Sequence, residues 1–236
     1  RLAQEIPTAT LAMFSKLKYV NAPNFEQFRE KWNAKYLAGF VVHSKSFDGL
    51  KGDFPIGFLV WKTDQLAPAK TPLREVVTEV LNKYAKPIGE KSFYNLPKSS
   101  YLNIWMPRLK TDGTHIPLKN AVHPQTGHAK VTSWRTDVIG YLLSNSNDLQ
   151  LSGTLTALFS SVCSQGNGFH ITPENFEKVT VVFAVRRLIK PTWLNDRDQF
   201  LQPTEPLTDE FKTDCLLWML FNNSNLSASA NDLEWN

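Results

Sequence analysis

The stretch FVVHSKSFDGLKGDFPIGFLVW, residues Phe40–Trp61, decides the fold. It begins and ends with short apolar runs, FVV at 40–42 and PIGFLVW at 55–61, and turn-forming Asp-Gly and Lys-Gly-Asp groups lie between them. Short apolar runs of β-branched and aromatic residues bounded by turn signals predict buried strands. Because the connection is too short for a helical crossover, we expect the two strands to be antiparallel.

The residues before this stretch predict a strand and then a helix. Thr10–Leu17 is short and apolar and is bounded by prolines, which predicts a buried strand. Asn24 is a suitable N-cap, and Phe25, Phe28, Trp32 and Tyr36 recur at helical spacing, with Gly39 as the expected helix end. Strand, helix, strand, loop and strand together predict part of an α/β sheet, so we expect this chain to be a piece of a larger fold.

The rest of the chain alternates between apolar segments and loops. The Pro, Ala and Thr of Gln65–Pro72 predict a boundary, which divides the chain into residues 1–65, the last strands of the sheet, and residues 66–236, an α+β region. Predicted helices are Leu73–Tyr84, Leu155–Val162, Pro173–Lys178 and Asp209–Phe221, and predicted strands are Val138–Leu143, Phe169–Thr172 and Val179–Leu188.

Positive charge is concentrated in the middle of the chain. The net charge is +4 and the sequence pI is about 9.0. Residues 86–135 carry eight basic and two acidic side chains, together with Phe93, Tyr94, Tyr101, Trp105 and Trp134. Basic side chains neutralise phosphates, and aromatic faces stack on bases, so this stretch fits a nucleic-acid surface. A solvated, loop-rich face whose aromatic side chains belong to the core fits the same pattern.

The sequence contains few of the known catalytic signatures. It has no GxGxxG pattern, no P-loop and no GxSxG elbow. His115, His123 and His128 are too loosely spaced for a typical zinc site, and the two cysteines do not form a disulfide framework. The run Asn195–Asp198 offers two carboxylates for a metal-dependent nuclease, or a turn whose aspartates pair with Arg197.

Several long stretches resemble the large bacterial N6-adenine-specific DNA methyltransferases of restriction–modification systems, in the part that follows the catalytic motif. The similarity covers most of the chain and is carried by whole segments rather than by a short signature. The segments are MFSKLKYVNAPNFEQFREKW (13–32), SKSFDGLKGDFPIGFLVWKTD (44–64), NGFHITPENFEKVTVVFAVRRLIKPTWLNDRDQFLQP (167–203) and DCLLWMLFNNSNLSASANDLEWN (214–236).

The resemblance implies a Rossmann-like S-adenosylmethionine domain, with residues 10–61 as strands five to seven, followed by a DNA-recognition region. The complete enzyme would use S-adenosylmethionine to methylate N6 of a flipped adenine in double-stranded DNA. The glycine motif for that cofactor and the Asn-Pro-Pro-Tyr type of motif are absent here. No catalytic or cofactor-binding residue is therefore assigned, and the expected partner is the missing N-terminal methyltransferase segment or a separate chain.

This interpretation gives a set of candidate DNA contacts. The phosphate contacts are Arg108, Lys110, Lys119, Lys130 and Arg135, and bases or phosphates are the targets of Arg186 and Arg187. For the last two, a helix C-terminus or a carboxylate partner is the alternative. Alternatives for the whole chain are a non-catalytic DNA-binding specificity module and a degenerate fragment that docks on a partner. We expect a cytoplasmic protein with no membrane partner, because no apolar run approaches the ~20 residues that span a bilayer.

Overall fold

A computed structural model of the chain describes most of the sequence as two compact units. The first comprises Arg1–Ser100 with Pro191–Gln199, and the second comprises Tyr101–Lys190 with Phe200–Asn236. The described residues are 5–6, 8–32, 34–63, 74–110, 113–115, 132–134, 136–144, 149, 156–159, 168–196, 198–222, 230–231 and 234–235. The boundary expected at Gln65–Pro72 lies outside them, so the division at residue 65 stays a prediction.

The first unit is built on a mixed five-stranded sheet with the order β1-β3-β2-β4-β5. β3 lies between β1 and β2 and is antiparallel to both, as the short connection before it predicts. β2 and β4 are parallel, and β4 and β5 form an antiparallel pair. The strands are β1 (Thr10–Lys16), β2 (Ala34–His43), β3 (Pro55–Thr63), β4 (Glu75–Leu81) and β5 (Pro87–Tyr94), with helices α1 (Lys18–Asn21) and α2 (Glu26–Lys31) between β1 and β2.

One face of this sheet forms the core of the first unit. Trp61 is fully buried at its centre, and its Nε1 donates a hydrogen bond to the Tyr19 hydroxyl at 3.1 Å. Side chains from the sheet and from the segment around α1 pack together here: Leu17, Val20, Val41, Leu59, Val76, Val80 and Phe93. Trp193 and Leu194 of the returning segment pack against the same core, so Pro191–Gln199 is tied to the sheet by apolar contacts.

The opposite face of the sheet is partly open and aromatic. Phe14, Phe58 and Phe40 lie side by side on β1, β3 and β2 in one register row. The rings of Phe40 and Phe58 stack with centroids 5.4 Å apart, and Phe14 packs 4.8 Å from Phe58. Phe14 is nevertheless 51% exposed. The strand predicted at Thr10–Leu17 is therefore present as β1 (Thr10–Lys16), but it is an exposed strand rather than a buried one.

Two further predictions for this unit are wrong. Leu73–Tyr84 was expected to be helical, whereas Glu75–Leu81 is β4, whose residues alternate between exposed and buried with period two. The helix expected to reach Tyr36 and end at Gly39 stops at Lys31, and Gly39 lies within β2. A Cβ on Gly39 would lie 2.6 Å from Leu59 Cδ2, so close strand packing, and not a helix end, requires this glycine.

The second unit contains short strands and two longer helices. Its elements are α3 (Leu102–Trp105), β6 (Gly113–His115), β7 (Thr132–Trp134), β8 (Gly140–Leu143), β9 (Ala157–Phe159), β10 (Gly168–Ile171), α4 (Phe176–Leu188), α5 (Asp209–Phe221), β11 (Ala230–Asn231) and β12 (Glu234–Trp235). β8 pairs with both β9 and β10. The predicted strands at 138–143 and 169–172 and the predicted helix Asp209–Phe221 are confirmed.

Two other predictions for the second unit are wrong. Val179–Leu188 was expected to be a buried strand, but it belongs to helix α4, and the short helix expected at 173–178 is only the start of α4. The run is buried on nearly all sides, so it has no clear hydrophobic period, and its β-branched residues favour a strand locally. Leu155–Val162 was expected to be helical, whereas its described part contains β9.

The described fold is thus of the mixed α/β class. Within the described residues, no helix is long and apolar enough to cross a membrane.

Candidate nucleic-acid interface

Two of the predicted phosphate contacts lie at the surface of the second unit. Arg108 and Lys110 follow α3 in a segment outside the helices and strands, and both residues are exposed. The Arg108 guanidinium lies 5.7 Å from the centroid of the Phe169 ring, a cation–π distance that holds the side chain against β10. Both cations are exposed to solvent, which is the surface position that a phosphate contact requires.

Arg186 has a different environment. It lies in the last turn of α4 and is completely buried. Its guanidinium lies 4.2 Å from the centroid of the Phe200 ring. In this conformation the side chain is out of reach of a phosphate in solvent, so a DNA contact by Arg186 would require the side chain to move.

Arg187, the next residue, is half-buried and turned to another neighbour. Its Nη1 donates a hydrogen bond to the carbonyl oxygen of Thr156 at 3.1 Å, and its guanidinium lies 5.6 Å from the Phe183 ring centroid. Both arginines therefore occupy the helix C-terminus that was the alternative interpretation, where the helix dipole favours positive charge. DNA binding by either residue stays a prediction.

The other predicted contacts cannot be placed. Lys119, Lys130 and Arg135 lie outside the described residues, as do His123 and His128 of the loose histidine group. Their roles stay predictions. Within the described part of the chain, no cluster of three His, Cys, Asp or Glu side chains is suitable for a metal ion.

Some basic residues of the second unit are already engaged with protein groups. The Lys178 Nζ donates to the Trp105 carbonyl oxygen at 3.0 Å and lies 5.2 Å from that residue's ring centroid. The Lys212 Nζ lies 3.1 Å from Glu177 Oε1 and 3.2 Å from Asp209 Oδ1, and hydrogen bonds to these carboxylates raise the pKa of Lys212. Lys178 thus links α4 to α3, and Lys212 links α5 to α4.

Sequence reasoning missed a basic group on the first unit. Lys62 of β3 is paired in register with Thr10 of β1 and with Lys35 of β2, so the two lysines are neighbours on adjacent strands. Both are exposed, and they lie on the partly open face that also carries Phe14, Phe40 and Phe58. The strand alternation of PIGFLVWK contained this signal, because Lys62 is four residues from Phe58 and lies on the same face.

The aspartates that suggested a nuclease are partly used within the fold. The Asp198 carboxylate accepts a hydrogen bond from Lys91 Nζ, and the two side chains are only 18% and 22% exposed. Burial raises the pKa of Asp198, and the Lys91 ammonium opposes that increase. Pairing with Arg197 was the expected structural role. Arg197 lies outside the described residues, and the partner that the structure gives Asp198 is Lys91.

An exposed charged group lies near the turn between β2 and β3. Asp53 Oδ1 is 2.7 Å from Lys45 Nζ and 3.3 Å from His43 Nε2. The hydrogen bond and charge of Lys45, with a smaller effect of His43, lower the pKa of Asp53. The Lys45 and Asp53 side chains are 60% and 62% exposed, so this group provides no buried reactive centre.

Comparisons with known proteins add no assignment. No protein family, curated protein or solved structure matches this chain.

Proposed function

We propose that this chain is the C-terminal part of a bacterial N6-adenine-specific DNA methyltransferase, where it completes the central sheet and contacts DNA. The strand order of the first unit carries the proposal. β1, the helical segment, β2 and β3 follow one another, and β3 runs antiparallel to its neighbours. The resembled family implies a sheet that ends in strand, helix, strand and a final antiparallel strand.

The edge of the sheet also supports this proposal. Among the described residues, β1 pairs with β3 alone, so its other edge has unpaired backbone groups. An open strand edge is a template for another strand. On this strand, Met13 is 36% exposed and Phe14 is 51% exposed. Large apolar side chains exposed next to one another are typical of a surface that another part of a protein covers. Further strands and helices of a Rossmann-like domain would cover both features.

The residues present do not fit S-adenosylmethionine. After β1, the chain passes through Leu17 directly into α1, with no glycine-rich turn at which a cofactor is able to approach the backbone. The sequence has no GxGxxG pattern elsewhere. No step of methyl transfer is therefore assigned to a residue of this chain, and its part in the proposal is structural support and DNA binding.

The first experiment tests the methyltransferase assignment. The chain is expressed together with the coding sequence immediately upstream of Arg1, and transfer of labelled methyl groups from S-adenosylmethionine to duplex DNA is measured. We expect N6-methyladenine in the digested DNA and a dependence on the upstream motifs. If neither motif lies in the same polypeptide or in an adjacent gene, the proposal is wrong. If the chain binds duplex DNA but no methylation is found, either alone or with the upstream sequence, the non-catalytic specificity module would instead be favoured.

The second experiment tests the DNA surface. Binding of duplex DNA is measured over a series of salt concentrations for the chain and for Arg108→Ala and Lys110→Ala. Each lost phosphate contact should reduce the slope of log K against log salt by about 0.9 and weaken binding to all sequences alike. Lys51→Ala is the matched control, because Lys51 is an exposed loop cation of the first unit. A salt-independent affinity, or an equal effect of the control, would refute these contacts.

A further inference from the structure

The turn that joins β4 to β5 presents two lysines and two large apolar side chains to solvent. Tyr84 is 70% exposed, and Ile88, near the start of β5, is 61% exposed. Lys83 directly precedes Tyr84 and Lys86 follows two positions later, and both lysines are exposed. The hairpin tip, defined as Asn82–Ile88, contains no carboxylate, so it combines positive charge with exposed apolar surface.

Hydrogen bonds that converge on Asn82 hold the tip in one conformation. Asn82 Oδ1 accepts from the backbone N–H of Tyr84 at 2.9 Å and of Lys86 at 3.1 Å. The Asn82 N–H donates to the Lys86 carbonyl oxygen and the Asn82 carbonyl oxygen accepts from the Ala85 N–H, both at 3.0 Å. Ala85 has a φ of +58°, which a non-glycine residue keeps only where its surroundings enforce it. Because the turn is already ordered, a partner that binds it causes little further loss of conformational entropy.

The ring of Tyr84 is available to another flat ring. Lys83 Nζ lies over the Tyr84 ring, 4.9 Å from its centroid, and the 70% exposure of the residue leaves most of the phenol accessible. Aromatic side chains stack on nucleic-acid bases of any sequence, because every base has a π face. A paired base in a duplex is covered on both faces by its neighbours, so an exposed ring of this kind selects a base that has left the stack.

An anionic membrane is the other surface whose chemistry matches lysines next to apolar side chains. Membrane binding requires a large apolar area, since even one complete myristoyl chain binds a bilayer only marginally. Tyr84 and Ile88 are both partly covered and together offer less apolar surface than such a chain. The hairpin tip therefore fits a nucleic acid better than a membrane.

The charges of the hairpin also restrict the path of a nucleic-acid strand. Glu79 and Glu90 are exposed and lie opposite each other on β4 and β5, beyond the tip. These carboxylates repel phosphates, whereas Lys83 and Lys86 attract them. A strand is therefore expected to cross the tip rather than to follow the two β-strands.

We propose that the hairpin tip is a DNA contact in which the Tyr84 ring stacks on an unpaired base and Lys83 and Lys86 neutralise neighbouring phosphates. The inference rests on the proposed function only in the choice of DNA as the partner. Methyl transfer by the extended chain and preference for an unpaired base are measured separately, so either one is able to fail while the other holds.

Fluorescence anisotropy with two labelled duplexes of one sequence tests the proposal. One duplex is fully paired, and the other contains a single extrahelical adenine, to which the full chain should bind more tightly. Tyr84→Ala should weaken binding to the second duplex by about 5- to 150-fold, the effect of losing one base–aromatic stack, and should change binding to the paired duplex little. Tyr84→Phe keeps the ring and should bind both duplexes as the parent chain does.

Matched variants separate the tip from the rest of the surface. Phe221→Ala is the control for the loss of an exposed aromatic side chain, because Phe221 is 83% exposed in the second unit. Lys83→Ala and Lys86→Ala should each reduce the slope of log K against log salt by about 0.9, whereas Lys51→Ala should not. Circular dichroism of each variant verifies the fold.

Three results would overturn the proposal. The first is equal affinity of the parent chain for the two duplexes, or binding to neither. The second is an effect of Tyr84→Ala that is equal on both duplexes, because the ring would then not select an unpaired base. The third is Tyr84-dependent binding to phosphatidylserine vesicles without a preference for the extrahelical adenine, which would assign the tip to a membrane surface.

Discussion

Removal of one partner from the ion pair between Lys91 of β5 and Asp198 of the returning segment is expected to destabilise the first unit far more than removal of one partner from a surface pair. The two side chains are 22% and 18% exposed, so each loses most of its hydration in the fold. Removing one partner of a fully buried pair costs about 3–5 kcal/mol. Since about a fifth of each side chain remains solvated, we expect about 2–3 kcal/mol for Lys91→Met or Asp198→Leu alone.

A double-mutant cycle isolates the interaction from other effects of the substitutions. The Lys91→Met/Asp198→Leu chain has no uncompensated buried charge, so it should lose only about 1 kcal/mol, which with the single losses gives a coupling energy of about 3–5 kcal/mol. Urea unfolding at pH 7 is followed by tryptophan fluorescence, with the transition of the first unit fitted separately from that of the second. Trp61 of this unit is fully buried and provides the signal.

The exposed pair of Lys45 and Asp53 provides the control for the cycle. Its side chains are 60% and 62% exposed, so the same cycle should give a coupling too small to resolve. If the two single substitutions at Lys91 and Asp198 were additive, the pair would contribute nothing specific and the reasoning from burial would fail. Metal-dependent cleavage of DNA that requires Asp198 would refute the structural role more directly.

The remaining predictions concern pH, strand contact and close packing. Burial raises the pKa of Asp198 above 3.8. This carboxyl therefore contributes stability that is present below pH 3.8 and is lost as the pH rises through its folded pKa. Folding should take up protons in that pH range, and the Asp198→Asn control should lack this uptake. The Tyr36 hydroxyl donates to the Val77 carbonyl oxygen at 2.6 Å, and Tyr36→Phe should cost about 1 kcal/mol in urea unfolding. Burial, with a smaller effect of Tyr19, raises the pKa of Tyr36 to about 12. Ultraviolet titration of Tyr36→Phe should therefore lack one phenol that ionises late in the parent chain. An unchanged titration would contradict the assignment. Gly39→Ala should cost about 1–3 kcal/mol, because its Cβ would lie 2.7 Å from the Phe58 carbonyl oxygen. Gly49→Asn should cost less, because no atom lies near the added Cβ and Asn is among the residues that best tolerate the positive φ of +80° found there.

The parts of the fold that the sequence predicts well are those with a single dominant signal. β3 is a dense apolar run next to strong turn residues, and α5 begins at a Thr208 cap whose side chain accepts from the Phe211 backbone. β4 and α4 carry two signals that conflict. Val76, Val77, Val80 and Leu81 fit a helical face as well as a strand, and only the neighbours in the sheet decide which residues are buried.

The candidate site is less predictable, because charge density in the sequence does not report the environment of each charge. Arg108 and Arg186 are the same residue type, yet Arg108 is exposed and Arg186 is completely buried against Phe200. Lys91 counts among the basic residues of the 86–135 stretch, and Asp198, which accepts its hydrogen bond, lies 107 positions away along the chain. No local pattern predicts a contact at such a separation.

Pro191–Gln199 belongs to the first unit although the chain on both sides of it belongs to the second, which has a practical consequence for expressing the two units separately. A clone that ends at Ser100 would lack Trp193 and Leu194, which pack against the Trp61 core, and would leave Lys91 without Asp198. A clone that starts at Tyr101 would contain Trp193, Leu194 and Asp198 but would lack the sheet of the first unit against which they pack. Since neither unit is contiguous in the gene, a separable first unit requires residues 191–199 to be joined to it through a designed linker.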